Sequence, residues 1–541
     1  MGVVAFGLVF YLLPVSHMLA DGFSMAAWHK EFGDGHVGAL IRFTLWQASL
    51  STLAALLLAI GPVWALRRLR FRGRSLVMTV MLLPFVVPTV VAVSATLALF
   101  GADGWLMGLV RTVSLGRITD IDPRGHTWSI VLVHAWFNFG MIARLVVAYE
   151  GEAGARQDEA AQLLGASPWR RLLRITGPRL APAWRAGAAL TFLLSLAAFA
   201  TVLLLGGTKH ATIETEIFRE TTQFLALDRA AVLALIQFGL VATALLLIRG
   251  KGSPSESRPR AVGGRSAGLG GPQNGLRNLL AAIVLATTVT FALAPLASLV
   301  IDVLRPAGSW GLDAFRYLGT ARANTTAAYA PGEAIANSLT NAAVAMTIAI
   351  VIGGAVTALA TRRGTGAKLI GAMSIAPLVT SPVTLGFGMM LAFSAPPLDF
   401  RSRWWLLPVA HSLVAVPLVV RTLIPAVAGR RTELSDAART LGASPLRRWF
   451  RIDLPILAPA IAVSLGLAFV VSLGEFGASS FLARPQRLTV PIAIGRALGR
   501  PGARSVLDAH VLSLTLVGVA LGVLLLAEMA AGLIRRVSRG S

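Results

Sequence analysis

The chain has 541 residues, of which 55% are hydrophobic and only 14% charged, with a mean hydropathy of +0.71; this balance excludes an ordinary water-soluble domain and makes a bilayer the natural solvent. Its formal charge of +24, from 49 basic and 25 acidic residues, falls in short clusters between apolar runs, which is the pattern of membrane topology and not of a nucleic-acid face. There is no cysteine, so disulfides, thiolate metal sites and cysteine nucleophiles are excluded.

Apolar stretches of about 17–25 residues, the length that crosses a bilayer as a helix, lie near 2–19, 41–66, 76–100, 127–149, 183–205 and 230–248. A second set follows near 278–301, 338–360, 368–393, 404–427, 459–482 and 508–533. The first stretch lacks a basic n-region and a small-residue cleavage site, and so reads as a retained helix rather than a signal peptide. Residues 250–276 are rich in Gly, Ser, Pro and Arg without apolar periodicity, which predicts a flexible linker. The expected fold is an all-α polytopic membrane protein of about twelve spans, six in residues 1–249 and six in 277–541.

Arginines collect on alternate connections: Arg67, Arg68, Arg70, Arg72 and Arg74; then Arg170, Arg171 and Arg174; then Arg249, Lys251, Arg258, Arg260 and Arg265. Arg362, Arg363 and Lys368, then Arg447, Arg448 and Arg451, and finally Arg535, Arg536 and Arg539 continue the series. The positive-inside bias puts these connections, the linker and both termini in the cytoplasm. The opposite loops, such as 20–40 with Asp21, Glu31 and Asp34, or 208–229 with Glu214, Glu216 and Glu220, then face outward.

Two of the cytoplasmic connections carry the same text. EAAQLLGASPWRRLLRITGPRLAPA at 159–183 returns as DAARTLGASPLRRWFRIDLPILAPA at 436–460, at a constant offset of 277 residues; with about two-thirds of positions identical, this is an internal repeat. At the same offset His134 matches His411, Arg144 matches Arg421 and Phe199 matches Phe476. Further upstream, outside that offset, Thr44, Leu45 and Ala48 recur as Ser338, Leu339 and Ala342, and Pro84 and Pro88 as Pro377 and Pro382. Within each loop the residues spell helix, break, helix. Gly165 and Gly442 suit a left-handed C′ position, and Ser167-Pro168 and Ser444-Pro445 read as an N-cap followed by proline at N1. The low profile of Ala160, Ala161 and Ala166, with Ala437, Ala438 and Ala443, suits entry into a partner's groove, and Trp169, Trp449 and the arginines suit anchoring at the headgroups. An inert amphipathic interfacial helix is the plain alternative; repetition of Gly-Ala-Ser-Pro in both copies argues against it.

Glu159-Ala160-Ala161, Gly165, Ile175 and Pro178, with Asp436-Ala437-Ala438, Gly442, Ile452 and Pro455, resemble the EAA coupling loop of binding-protein-dependent ABC importer permeases. The resemblance implies coupling loops at 152–180 and 430–457, each docking on a cytoplasmic ABC ATPase subunit, two copies in all, and transmitting nucleotide-driven closure to the membrane helices. It also implies an extracytoplasmic binding protein as donor, location in the plasma membrane, and no cofactor on this chain, since ATP and Mg are bound by the partner ATPase. Asp436 in place of glutamate keeps the charge and shortens its reach. The stretches HAWFNFGMIARLV (134–146), FATVLLLGG (199–207), ATIETEIF (211–218) and DRAAVLALIQ (228–237) are similar to thiamine-importer permeases, which are also single chains carrying both halves. Ferric-iron permeases share the fused plan and are the competing reading.

No GxxxxGK[ST] occurs, so the phosphate cradle of an ATPase is missing and the chain is expected to be no enzyme. The eight histidines lack metal-ligand spacing, so no metal site is expected. His134 and His411 read as hydrogen-bonded core histidines, with substrate contact as the alternative. Glu475 is the sharper candidate, because an ionisable residue within a span is a functional-site hypothesis by default. Its counterpart at the repeat offset is Ala198. Glu475, with Phe476 and Phe199, is the candidate lining of a translocation path, a carboxylate and aromatic faces suiting a cation; the alternative is a glutamate that reaches the outer interface or pairs with an arginine of 484–487. An ion-coupled secondary carrier also carries repeats, but would need several intramembrane ionisable sites. A membrane enzyme lacks any nucleophile, base and orienter.

Overall fold

A computed structural model of the chain describes residues 2–23, 28, 35–69, 71–101, 104–114, 122–207, 209–249, 275–306, 308–319, 330–362, 366–367, 370–371, 376–378, 380–430 and 432–540. Among these residues the regular structure is helical and no strand occurs. The predicted linker 250–276 lies outside the described residues except for its last two positions, which begin the helix Gly275–Leu304.

Among the described residues ten helices are long and apolar enough to cross a membrane, and the multi-pass α-helical architecture expected from the hydropathy pattern is present. Two of the twelve expected spans, 183–205 and 368–393, are not among these ten. The run 183–205 is divided into Gly177–Leu196 and Ala200–Leu205, and the described residues of 368–393 include the shorter helix Pro382–Ala392. The run 76–100 is also split, into Arg74–Val86 and Thr89–Phe100. Here the cause is local: Pro88 holds Val87 extended, at φ −67 and ψ 135, because the proline ring disfavours the helical region for the residue before it.

The chain forms two compact units that differ from the two repeat halves. One contains 34–215 and 239–309; the other contains 1–33, 216–238 and 310–541. In the first unit, Gly275–Leu304, the opening helix of the second half, packs on first-half helices. Trp136 donates its indole N–H to the Phe291 carbonyl at 3.1 Å, the Phe139 and Phe291 rings are 5.6 Å apart, and Arg68 Nε donates to Asn278 Oδ1 at 3.1 Å. The second unit makes the reciprocal exchange. Phe10 of the opening segment meets Phe393 and Trp405 with centroids 5.9 and 6.0 Å away, and the Tyr11 hydroxyl donates to the Ala376 carbonyl at 2.8 Å.

Small residues bring the helices close, as expected where lipid supplies no hydrophobic drive between them. In the second unit Ala349 and Val356 pack with Ala415, Val416, Val419, Val420, Leu423 and Ala468 in one buried cluster joining three helices. In the first unit Gly140 lies so close to the helix Arg74–Val86 that a Cβ there would stand 1.7 Å from the Met81 carbonyl oxygen. Large apolar side chains such as Leu53, Leu57 and Ile60 on His36–Arg68 are more than half exposed, which suits a face turned to lipid.

Candidate functional site

Each repeated loop folds as an elbow with the same hydrogen bonds. In the first, the helix Thr127–Leu163 runs continuously into the motif and ends in a Schellman turn: Ala166 N–H donates to Ala161 O and Gly165 N–H to Gln162 O, both at 3.0 Å. In the second, Thr432–Thr440 ends with Ala443 N–H donating to Ala438 O at 2.9 Å and Gly442 N–H to Arg439 O at 3.1 Å. The two glycines have φ +76 and +78, the left-handed conformation this turn requires and only glycine adopts without cost. A Cβ at either would meet no atom within 4 Å. The requirement is therefore one of backbone conformation and not of space.

The chain turns back through a serine cap. Ser167 and Ser444 accept the backbone N–H of Arg170 and Arg447, each at 3.3 Å, with Pro168 and Pro445 in the first turn. Both caps are those anticipated from the residues. Each leaving limb then contains a π-helical turn, at Leu172–Thr176 and Trp449–Asp453, followed within two residues by Pro178 or Pro455. Proline has no N–H to give and its ring crowds the carbonyl four residues earlier; a wider turn just before it relieves both. The π-turns were not evident from the sequence, although the paired prolines were their signal.

The elbow tips are apolar and open. Leu163, Leu164 and Leu441 are 89%, 87% and 87% exposed, and Trp169 and Leu446 also project freely. Of the small motif residues, Ala160 and Ala437 are exposed, Ala438 is half-buried and Ala161 is buried. Asp436 is exposed and lies 3.9 Å from Arg439. Glu159 is helical in backbone, but its side chain lies outside the described residues. Each tip thus presents exposed leucine beside its left-handed turn.

The candidate path residues sit at matched helix breaks. Phe199 and Phe476 are the N-cap residues of the short helices Ala200–Leu205 and Gly477–Leu482, and both are buried. Glu475 is buried too, and among the described residues its ion-pair partner is His411. Its carboxyl group turns back on the helix it precedes, accepting N–H bonds from Ala478 at 3.1 Å and Ser479 at 3.0 Å, as a side-chain cap on the first turn of that helix. The Glu475 oxygen also lies 3.4 Å from His411 Nε2, and the His411 ring meets the hydroxyls of Ser472 and Ser479, both at 2.9 Å. In the other half His134 meets Ser51 at 3.2 Å instead. The His134–His411 repeat is thus a pair of hydrogen-bonded core histidines, of which, among the described residues, the second is joined to a carboxyl group.

Two further features involve residues noted in the sequence whose contacts it did not reveal. Thr44 and Ser338 each cap a helix start by accepting N–H bonds from Ile213 and Val490, at 3.1 and 2.7 Å, and Ile213 and Val490 are themselves related by the 277-residue offset. Glu214, Glu216 and Glu220 lie on a short helix, Ile213–Thr222, and are buried; Glu216 pairs with Arg219 at 3.1 Å and Glu220 with Arg229 at 3.5 Å.

The sequence is similar to those of known transport proteins. The chain is 28% identical over 512 residues to the thiamine transport system permease protein ThiP of Brucella abortus (strain 2308), covering 92% of this chain and 88% of the relative. It is 26% identical over 479 residues to the protein of the same name from Escherichia coli (strain K12), covering 87% and 85%. It is also 28% identical over 479 residues to the probable ABC transporter permease protein y4fN of Sinorhizobium fredii (strain NBRC 101917 / NGR234), covering 85% and 81%. The family model described as binding-protein-dependent transport system inner membrane component matches twice, over residues 51–249 and 349–539, each match containing one elbow. The chain therefore belongs to the family of binding-protein-dependent transport system inner membrane components.

Proposed function

We propose that the chain is the permease of an ATP-driven importer, carrying both halves, with thiamine as its passenger. An extracytoplasmic binding protein delivers the solute; two cytoplasmic ATPase subunits, which hold ATP and Mg, seat on the elbows; and closure of the ATPases moves the elbows and opens the path. The observation that carries this reading is the doubled elbow, with identical turn and cap geometry around Gly165 and Gly442 and open leucines at each tip. Family membership favours it over an ion-coupled carrier. The names of the Brucella and Escherichia relatives support thiamine over ferric iron. The arginine clusters support a cytoplasmic position for the elbows and both termini in the plasma membrane.

Glu475 enters this reading as the residue that fixes the start of Gly477–Leu482 and so sets where Phe476 stands beside the path. The test is ATP hydrolysis by the permease–ATPase complex in nanodiscs. Binding protein mixed with thiamine should stimulate it well above binding protein alone. Stimulation by ferric ion and not by thiamine would replace the passenger.

A further inference from the structure

The two elbows share their Schellman turn, serine cap, π-turn and proline because one is a copy of the other. The ion pairs that close their necks are not copies. In the first elbow Glu150 lies on the entering limb. Arg179 from the leaving limb donates to its carboxylate at 3.1 Å, and Arg67, at the end of His36–Arg68, reaches it at 2.7 Å. In the second elbow the signs are reversed: the entering limb supplies Arg430 and the leaving limb Asp453, 2.8 Å apart.

At the 277-residue offset Glu150 corresponds to Val427 and Arg179 to Ile456, while Arg430 corresponds to Ala153 and Asp453 to Thr176. No member of either interlimb pair has a charged counterpart in the other copy. A device inherited through duplication keeps its positions and its polarity. One that stands twice on unrelated positions, with the charges exchanged, points to a requirement of the neck itself. The surroundings fit such a role: side chains are only 14–29% exposed across these pairs, so screening by salt is weaker than at an open surface. Both pairs also lie beside the π-turn, which is the irregular part of each leaving limb.

We propose that Glu150 with Arg179 and Arg67, and Arg430 with Asp453, are positioning residues that lock the two limbs of each elbow into one lever. Displacement of the tip is then passed to the membrane helices and is not absorbed by the limbs spreading apart. This rests on the importer reading, in which the tips are moved by ATPases.

The test uses the reconstituted permease, ATPases and binding protein, and reads thiamine transported per ATP hydrolysed. Asp453→Asn, Arg430→Gln and Glu150→Gln should keep their ATPases and continue hydrolysis while the ratio falls by about fivefold or more, the lower end of ordinary coupling between sites. The exchange Arg430→Asp with Asp453→Arg should restore it. Because the chain has no cysteine, labels at Ala428→Cys and Ile456→Cys can report the second neck directly, and Asp453→Asn should broaden their distance distribution during turnover. An unchanged ratio and an unchanged distribution in the single variants would overturn the proposal, as would an exchange that fails to restore coupling in a folded complex. Failure of the unaltered protein to bind any ATPase would instead remove the importer reading beneath it.

Discussion

Replacement of Gly165 or Gly442 separates conformation from space. A Cβ at either position meets nothing within 4 Å, so the penalty is that of placing an L-residue at φ +76 or +78, roughly 1–2 kcal/mol, with Asn penalised least. A β-branched residue is the poorest occupant of this region. The turn can escape the strain only by opening, which loses two backbone bonds of 3.0 Å in the first elbow, each contributing about 1 kcal/mol. Either route costs about 2 kcal/mol for Val, which lowers the population of the native elbow roughly 30-fold relative to its alternatives. The expected order of damage is Asn, then Ala, then Val, at both positions. ATPase retention on the purified permease and its substrate-stimulated hydrolysis are the readouts. Equal damage by all three, or wild-type behaviour of both Val variants, would refute the argument that the left-handed turn presents the docking surface.

Glu475→Gln places an NH₂ group where a carboxylate oxygen now accepts the Ser479 N–H, and should cost roughly 1.5–3 kcal/mol, seen as a lower melting temperature in detergent; impaired transport with unaltered melting would favour a direct role for the carboxylate in the path. Gly140→Ala pushes a Cβ to 1.7 Å from the Met81 carbonyl and should destabilise by about 3 kcal/mol or more, whereas Gly239→Ala, with nothing within 4 Å, should leave melting unchanged; equal behaviour of the two would contradict the packing. Reporter fusions after Ser541 should read as cytoplasmic and those within 208–227 as external, and inversion of that pattern would put the elbows on the wrong side for ATPases.

The elbow was legible because its determinants are local: Gly165, Ser167 and Pro168 dictate a turn and a cap within a few residues, and their repetition at 442–445 removes chance. The breaks at 197–199 and 474–476 were not, because the runs 183–205 and 459–482 contain no proline between Ala183 and Leu205 or between Ala460 and Leu482 to mark where the helix stops. What stabilises the second break is Glu475, whose carboxylate was noticed for its charge and not for its capping. The neck pairs were illegible for another reason. Arg67 and Glu150 are 83 residues apart, and nothing in the sequence brings them together before the helices pack. The exchange of opening helices between units was hidden likewise, since an apolar stretch near 2–19 reveals its length and composition but not the surface it covers.

The central claim is that ATP, acting through the two elbows, drives import through this chain. It is tested most directly by uptake of labelled thiamine into proteoliposomes containing the permease and its ATPases, with binding protein enclosed on the opposite face from the nucleotide for export-oriented controls and supplied outside for import. Accumulation against a gradient that needs ATP and binding protein, persists when ion gradients are dissipated, and disappears in Gly165→Val and Gly442→Val is the predicted result. Accumulation that needs an ion gradient and proceeds without ATP would contradict the account.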